Sequence, residues 1–232
     1  MAKFNEAKNI LVGASPLYIT NADSTLAPNY VENMEPGVAR AGASGKKDKV
    51  PAFNASASYR VTLDAGQEDT ENAYRNVGYT NNGLQITYNP TYDSVTVDQL
   101  LDTAKLFKSA MEVMIATEMS EGTLENVLVV FGQGQSTLST AGGVSTLGLE
   151  AGALGVQPTE RQLIAVGQAP TTTTAKSERI YYARRVLSVQ QSQFSLARNT
   201  PTTFPVTFRL LPSGETAYAG SEYGKIIDRT WA

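Results

Sequence analysis

Neither cysteine nor histidine occurs anywhere in the 232-residue chain. Without cysteine there is no disulfide framework, no thiolate nucleophile and no cysteine-based zinc or iron–sulfur centre. Without histidine, the Ser-His and Cys-His catalytic pairs, the usual imidazole metal ligand and the side chain that titrates near neutral pH all drop out. Carboxylate or lysine chemistry is what remains open to an enzyme, so the expectation is a protein with no catalytic residues, no cofactor and no metal. Positive charge is not in excess either. The chain has 19 basic and 22 acidic residues, a net charge of −3, which excludes a nucleic-acid binder working by general phosphate neutralisation. No apolar run approaches the ~18 residues of a membrane span, so no membrane binding is expected. The opening MAKFNEAKNILVGAS lacks the roughly 7–15-residue apolar stretch of a signal peptide. The reading is a protein kept in the cytoplasm where it is made, or released by another route.

What is present is a moderately apolar, weakly charged chain, with 41% hydrophobic and 18% charged residues. That is enough to pack a core and too little charge for disorder by self-repulsion. The charge is unevenly spread. Residues 1–60 carry 7 basic and 5 acidic side chains, residues 61–130 carry 3 and 11, and residues 131–232 carry 9 and 6. The acidic middle third is either a solvated face or one of two opposite-signed surfaces that meet between copies or repel a polyanion.

Organisation follows from the turn-forming residues. Residues 1–60 read as an extended N-terminal arm with a long loop, in which the β-like ILVGASPLYI is broken by Gly13 and Pro16 and the stretch from Ala22 to Pro51 has no period. Residues 61–232 read as one β domain carrying a flexible Gly/Ser/Thr-rich insertion at 134–157, with PTTTTAKS at 170–177 as a hairpin tip. Leu84, Ile86 and Tyr88 alternate with polar residues after the Asn-Asn-Gly turn at 81–83, and Phe204, Val206, Phe208 and Leu210 do the same around Pro205. Pro205 donates no ladder hydrogen bond, so that strand is an edge or pairs on one side there. ERQLIAVGQ and SERIYYARRVLSVQQSQFSLAR supply two or three more strands. One helix is signalled over 121–132, capped by Ser120 or Thr123, with Leu124, Val127, Leu128 and Phe131 as its apolar stripe and Gly132 as terminator. Residues 98–111 fit both a helical stripe (Leu100, Ala104, Phe107, Met111, Met114) and strand alternation, with pattern alone favouring the helix.

A search for chemistry returns nothing. Gly42-Ala-Ser-Gly-Lys-Lys lacks the first glycine and the hydroxyl of a phosphate loop, and Gly132-Gln-Gly134 follows a helix instead of opening one. Carboxylate pairs such as Glu68/Asp69 and Asp98/Asp102 have no aromatic surroundings for a sugar, since Trp231 is the one tryptophan. Asn54-Ala-Ser is an acceptor pattern without a secretory context. Tyr181-Tyr182 beside Arg184-Arg185 has the composition of a single-strand platform. In a strand, however, neighbours face opposite ways, and core plus surface is the simpler account.

Two stretches carry a resemblance. VGYTNNGLQITYNPTYDSVTVDQLLDTAKLFKSAMEVMIATEMSEGTLENVLVVFGQ, and ERIYYARRVLSVQQSQFSLARNTPTTFPVTFRLLP with the closing YGKIIDRT, resemble the major tail (tail tube) proteins of tailed bacteriophages over about 77–133 and 160–230. The resemblance implies a mainly β fold: a β-sandwich or barrel with one flanking helix, and a long hairpin at 95–119 that joins a ring-spanning lumen barrel. It implies six copies per ring, stacked rings, and phage DNA passing through without specific binding. A tape measure protein and a tail terminator are implied partners, and the virion tail, assembled in the host cytoplasm, is the implied location. The candidate lumen residues on that reading are Asp93, Asp98, Asp102, Glu112 and Glu118, tempered by Lys105 and Lys108. The competing readings are another virion structural protein, such as a head decoration or head–tail connector protein, and, less favoured, a carboxylate enzyme.

Overall fold

The computed structural model describes Ser15, Leu17–Thr20, residues 74–100, 102–151, 158–170, 177–189, 192–196, 201–214 and 216–230, together with Leu154, Arg198 and Asn199. The phosphate-loop-like segment, Asn54, Glu68/Asp69 and the long connection from Ala22 to Pro51 lie outside the described residues. The strands are β1 (Leu17–Thr20), β2 (Tyr74–Asn76), β3 (Thr80–Thr96), β4 (Thr103–Met119), β5 (Leu138–Ala141), β6 (Val144–Leu147), β7 (Arg161–Gln168), β8 (Ser177–Ser188), β9 (Phe204–Leu210) and β10 (Gly224–Thr230). The helix α1 is Leu124–Val130. The fold is mainly β: eight strands form one antiparallel sheet in the order β2-β1-β7-β8-β9-β4-β3, with β10 also on β8, and β5-β6 form a separate pair.

The sheet is organised around β8. Its one side pairs with β7, while its other side is divided, with β10 opposite residues 177–183 and β9 opposite 186–188. Alternation sends Leu17, Ile19, Leu163, Ala165 and Ala183 to a large cluster with Ile115, Met119, Val206, Phe208 and the helix residues Leu128 to Val130. Their neighbours Tyr18, Ile164, Val166, Ile180 and Tyr182 build a second cluster with Ile227. Strands β1 and β7 are thus apolar on both faces, which is why they read as continuous runs instead of alternating ones. At about 1.5–3 kcal/mol per fully buried aliphatic side chain, these two clusters dominate the stability.

Several expectations are corrected. Leu17–Thr20, assigned from sequence to an extended arm, is an interior strand between β2 and β7. The helix that pattern alone favours at 98–111 is absent: residues 103–119 are strand β4, in which Val113, Ile115, Thr117 and Met119 alternate inward, and the hairpin it forms with β3 begins at Thr80, not at residue 95. Asn-Asn-Gly at 81–83 is not a turn ahead of a strand. It is a bulge within β3, where pairing jumps from Asn81↔Glu118 to Gln85↔Ala116 and Asn82 and Gly83 take φ of 60° and 68°. The Gly/Ser/Thr-rich insertion does leave the main sheet, but as a short 3-10 turn and the β5–β6 hairpin, with Gly142 and Gly143 at its tip. Pro205 pairs with Glu118 on one side only, as its missing N–H requires.

The helix is shorter than expected and turned differently. Thr123 is the cap, its hydroxyl accepting from the Asn126 N–H at 3.2 Å. Gly132, at φ +66°, donates to Val129 O while Gln133 N–H reaches Leu128 O, a Schellman ending. The buried face is Asn126, Leu128, Val129 and Val130, whereas the expected stripe members Leu124 and Phe131 are exposed. Asn126 is inside because its amide donates to the carbonyls of Val77 at 2.8 Å and Glu121 at 2.9 Å. That pins the helix to the approach of β3.

Candidate functional site: an exposed two-faced hairpin

Strands β3 and β4 run together over 17 residues each, but β9 covers β4 only from Met114 to Met119. Beyond that point the pair continues without a neighbour on either edge among the described residues. From Gln85 to Thr96 and from Asp102 to Ala110 every residue is exposed except Pro90, which is half-buried. The hairpin is therefore an arm that leaves the core.

Its two faces differ chemically. Ile86 lies opposite Ile115, Tyr88 opposite Val113 and Pro90 opposite Met111, so this face is the continuation of the core face. Farther out, past a bulge at Ser109, it carries Tyr92 opposite Lys108 and Ser94 opposite Leu106. Exposures of 45% at Ile86, 59% at Tyr88, 57% at Tyr92 and 64% at Leu106 make it a wet apolar stripe. The opposite face presents Thr87, Asn89, Thr91, Asp93 and Val95 from β3, and Met114, Glu112, Ala110, Phe107 and Lys105 from β4. It is mostly polar.

The five candidate acids divide between this face and the tip. Asp93, Glu112 and Glu118 share the polar face, while Asp98 and Asp102 sit in the turn that closes the arm, where Asp102 Oδ1 accepts from the Thr103 N–H at 2.7 Å. Glu112 is 3.5 Å from Arg209 of β9, and Glu118 accepts from the Asn81 amide at 3.3 Å. Lys108, on the apolar face, reaches toward Met111 Sδ at 3.5 Å. Its charge also bears on Glu222, whose carboxyl is held below the usual range chiefly by the Gly220 N–H, then by its own backbone N–H, with Lys108 adding to the effect.

At the root of the polar face the β3 bulge opens a shallow cleft of about 350 Å³ between Asn82, Gly83 and Gln85 and residues 205–207 of β9, with Glu118 as its only titratable lining residue. Among the described residues no three His, Cys, Asp or Glu side chains are grouped to hold a metal, and no helix is long and apolar enough to cross a membrane. No protein-family model and no curated protein sequence matches this chain. Nucleic-acid stacking at Tyr181-Tyr182 is not supported by the geometry. Tyr182 is buried, Arg184 is fully buried with its guanidinium 3.5 Å from the Tyr218 ring centroid, and Arg185 makes a bidentate pair with Glu160.

Sequence reasoning named the acids of the arm but missed Arg209, the partner of Glu112, and the apolar face behind them. The signal for that face was the Ile86–Tyr88 alternation, which continues through Pro90 to Tyr92 without any buried strand to receive it.

Proposed function

We propose that this protein is a structural subunit that polymerises through its arm into stacked rings, forming the tail tube of a phage, the conduit for its DNA. The observation that carries this reading is the arm itself: a long hairpin whose apolar face is uncovered and whose two edges are open among the described residues. Such a surface is a liability in a monomer and is covered when copies assemble. Neighbouring arms, set edge to edge, complete each other's ladders, and their apolar faces pack against the ring of bodies outside. The polar face, with Asp93, Glu112 and Glu118, then lines the bore. A polyanion moving past it meets like charge, an effect acting over a Debye length of about 8–10 Å. Six copies per ring, a tape measure protein inside the tube and a terminator at its end complete the proposal, with DNA passing through unbound. The test is negative-stain microscopy of the purified protein. Tubes of uniform bore support the reading; closed trimers or isolated rings on capsids favour another virion role, and a ligand-binding monomer overturns it.

A further inference from the structure

Among the described residues the charges of the polar face do not all meet a partner. Glu112 has Arg209 and Glu118 has the Asn81 amide. Asp93 lies opposite Phe107, and Lys105 opposite Val95. Asp93 and Lys105 are therefore diagonal neighbours on one face, with backbones about 7–8 Å apart. No ion pair joins them among the described residues. An acid stands on β3 and a base on β4, at the two opposite edges of the arm, and both edges are open among the described residues.

The geometry points to an ion pair between copies, in which Asp93 of one arm lies beside Lys105 of the next, fixing the register in which arms join. This rests on the tube-subunit reading and adds to it the residue pair that closes the ring. Three features select the pair. Lys108 is excluded because it projects from the other face. Strand direction is satisfied, because β3 and β4 are antiparallel within a copy and remain so when the β3 of one copy meets the β4 of the next. The offset is also right. Within a copy Asp93 faces Phe107, two residues from Lys105, so pairing Asp93 with the next copy's Lys105 shifts the register by two residues for every two strands. That is one residue of shear per strand, the ratio at which barrel strands tilt about 36°. Joining arms with no offset leaves the strands parallel to the barrel axis, which closed barrels do not adopt. The pair also has a consequence for transport. Lys105 is the one cation of the projecting arm on the face assigned to the bore, and an unmatched ammonium there adds affinity for each passing phosphate. Asp93 of the neighbour neutralises it.

The absence of cysteine makes the test clean. Full-length Asp93→Cys and Lys105→Cys proteins, mixed in equal amounts and oxidised, are expected to give a disulfide-linked dimer. Either variant alone should give little, because directly opposite strand residues reach disulfide distance and diagonal ones do not. In parallel, Asp93→Lys or Lys105→Glu alone should raise the concentration needed for assembly about tenfold, and the double exchange should restore it. Tubes from the unmodified protein without a crosslinked dimer in the mixture, or without rescue by the double exchange, overturn this register and leave the tube reading standing. No self-assembly of the unmodified protein overturns both.

Discussion

Strands β7 and β3 both draw on Ile, Val, Leu and Gln, yet their surroundings are opposite. Residues 161–166 of β7 are buried on both faces, with β1 and β8 on either side, whereas residues 85–96 of β3 are exposed on both faces but for Pro90 and paired on one side. In β7 the apolar side chains hold the monomer together. In the arm they do nothing for it, since a residue at 57–64% exposure has lost little contact with water. The two regions teach that the same strand-forming residues stabilise a monomer only where other elements cover them.

The largest effect should come from the core side of this comparison. Phe208, 1% exposed, is paired with Ile115 and Ser188 on its two sides, and Phe208→Ala should cost about 3–5 kcal/mol in denaturant unfolding. Next comes Asn126→Ala, which leaves the buried Val77 carbonyl without its 2.8 Å donor and should cost about 1–3 kcal/mol. Gly83→Ala meets no neighbour, so its cost is purely that of an L-residue at φ 68°, about 1–2 kcal/mol. A larger loss would show that the bulge is packed.

Smaller still is the Arg179–Asp228 pair on the β8–β10 edge. Its two hydrogen bonds of 2.6 and 2.7 Å to Arg179 hold the Asp228 carboxyl below its usual range. A depressed carboxylate contributes stability that is present above the ordinary value near ~3.9 and lost as the pH falls through the folded value. Asp228→Asn should remove that part of the acid dependence. The change should stay under about 1 kcal/mol because the pair is solvent-screened, and unfolding titrations at neutral and acid pH measure it.

The smallest stability effect is the most telling. Tyr92→Ala with Leu106→Ala should change unfolding free energy by no more than about 0.5 kcal/mol while abolishing assembly in sedimentation and microscopy. A loss of stability comparable to that of Phe208→Ala would show that the arm is packed in the monomer, and the comparison would fail.

Much of this was legible from residue order. The strands at 84–88, 161–168 and 204–210, the Thr123 cap and the Gly132 stop follow from alternation and capping chemistry that act over a few residues. What was not legible depends on distant partners. The Leu17–Thr20 strand looked like part of an arm because its neighbours, β2 and β7, are remote in sequence. Residues 98–111 carry a helical spacing because the described residues from 102 to 110 are all exposed, and without a core face alternation is not enforced. The helix face was misjudged because Asn126, a polar residue, takes an inward position whose hydrogen-bond partners are carbonyls at 77 and 121. Of the candidate acids, Glu112 and Glu118 share a face by simple alternation along β4, but that Asp93 joins them depends on the β3–β4 register, which sets Asn89 opposite Glu112 and which no period reveals.

The division of labour at the root of the arm has a mechanical meaning. Strand β4 passes from the arm into the body without interruption and is held there by six consecutive residue pairs to β9. Strand β3 enters through the bulge at 82–84, where it has slack. A pull or push delivered along the arm therefore loads the β4–β9 ladder in shear, with all its hydrogen bonds sharing the force, while β3 gives way by opening or closing its bulge. One strand serves as the stiff tie and the other as the compliant one, so the arm can twist about β4 without being drawn out of the body.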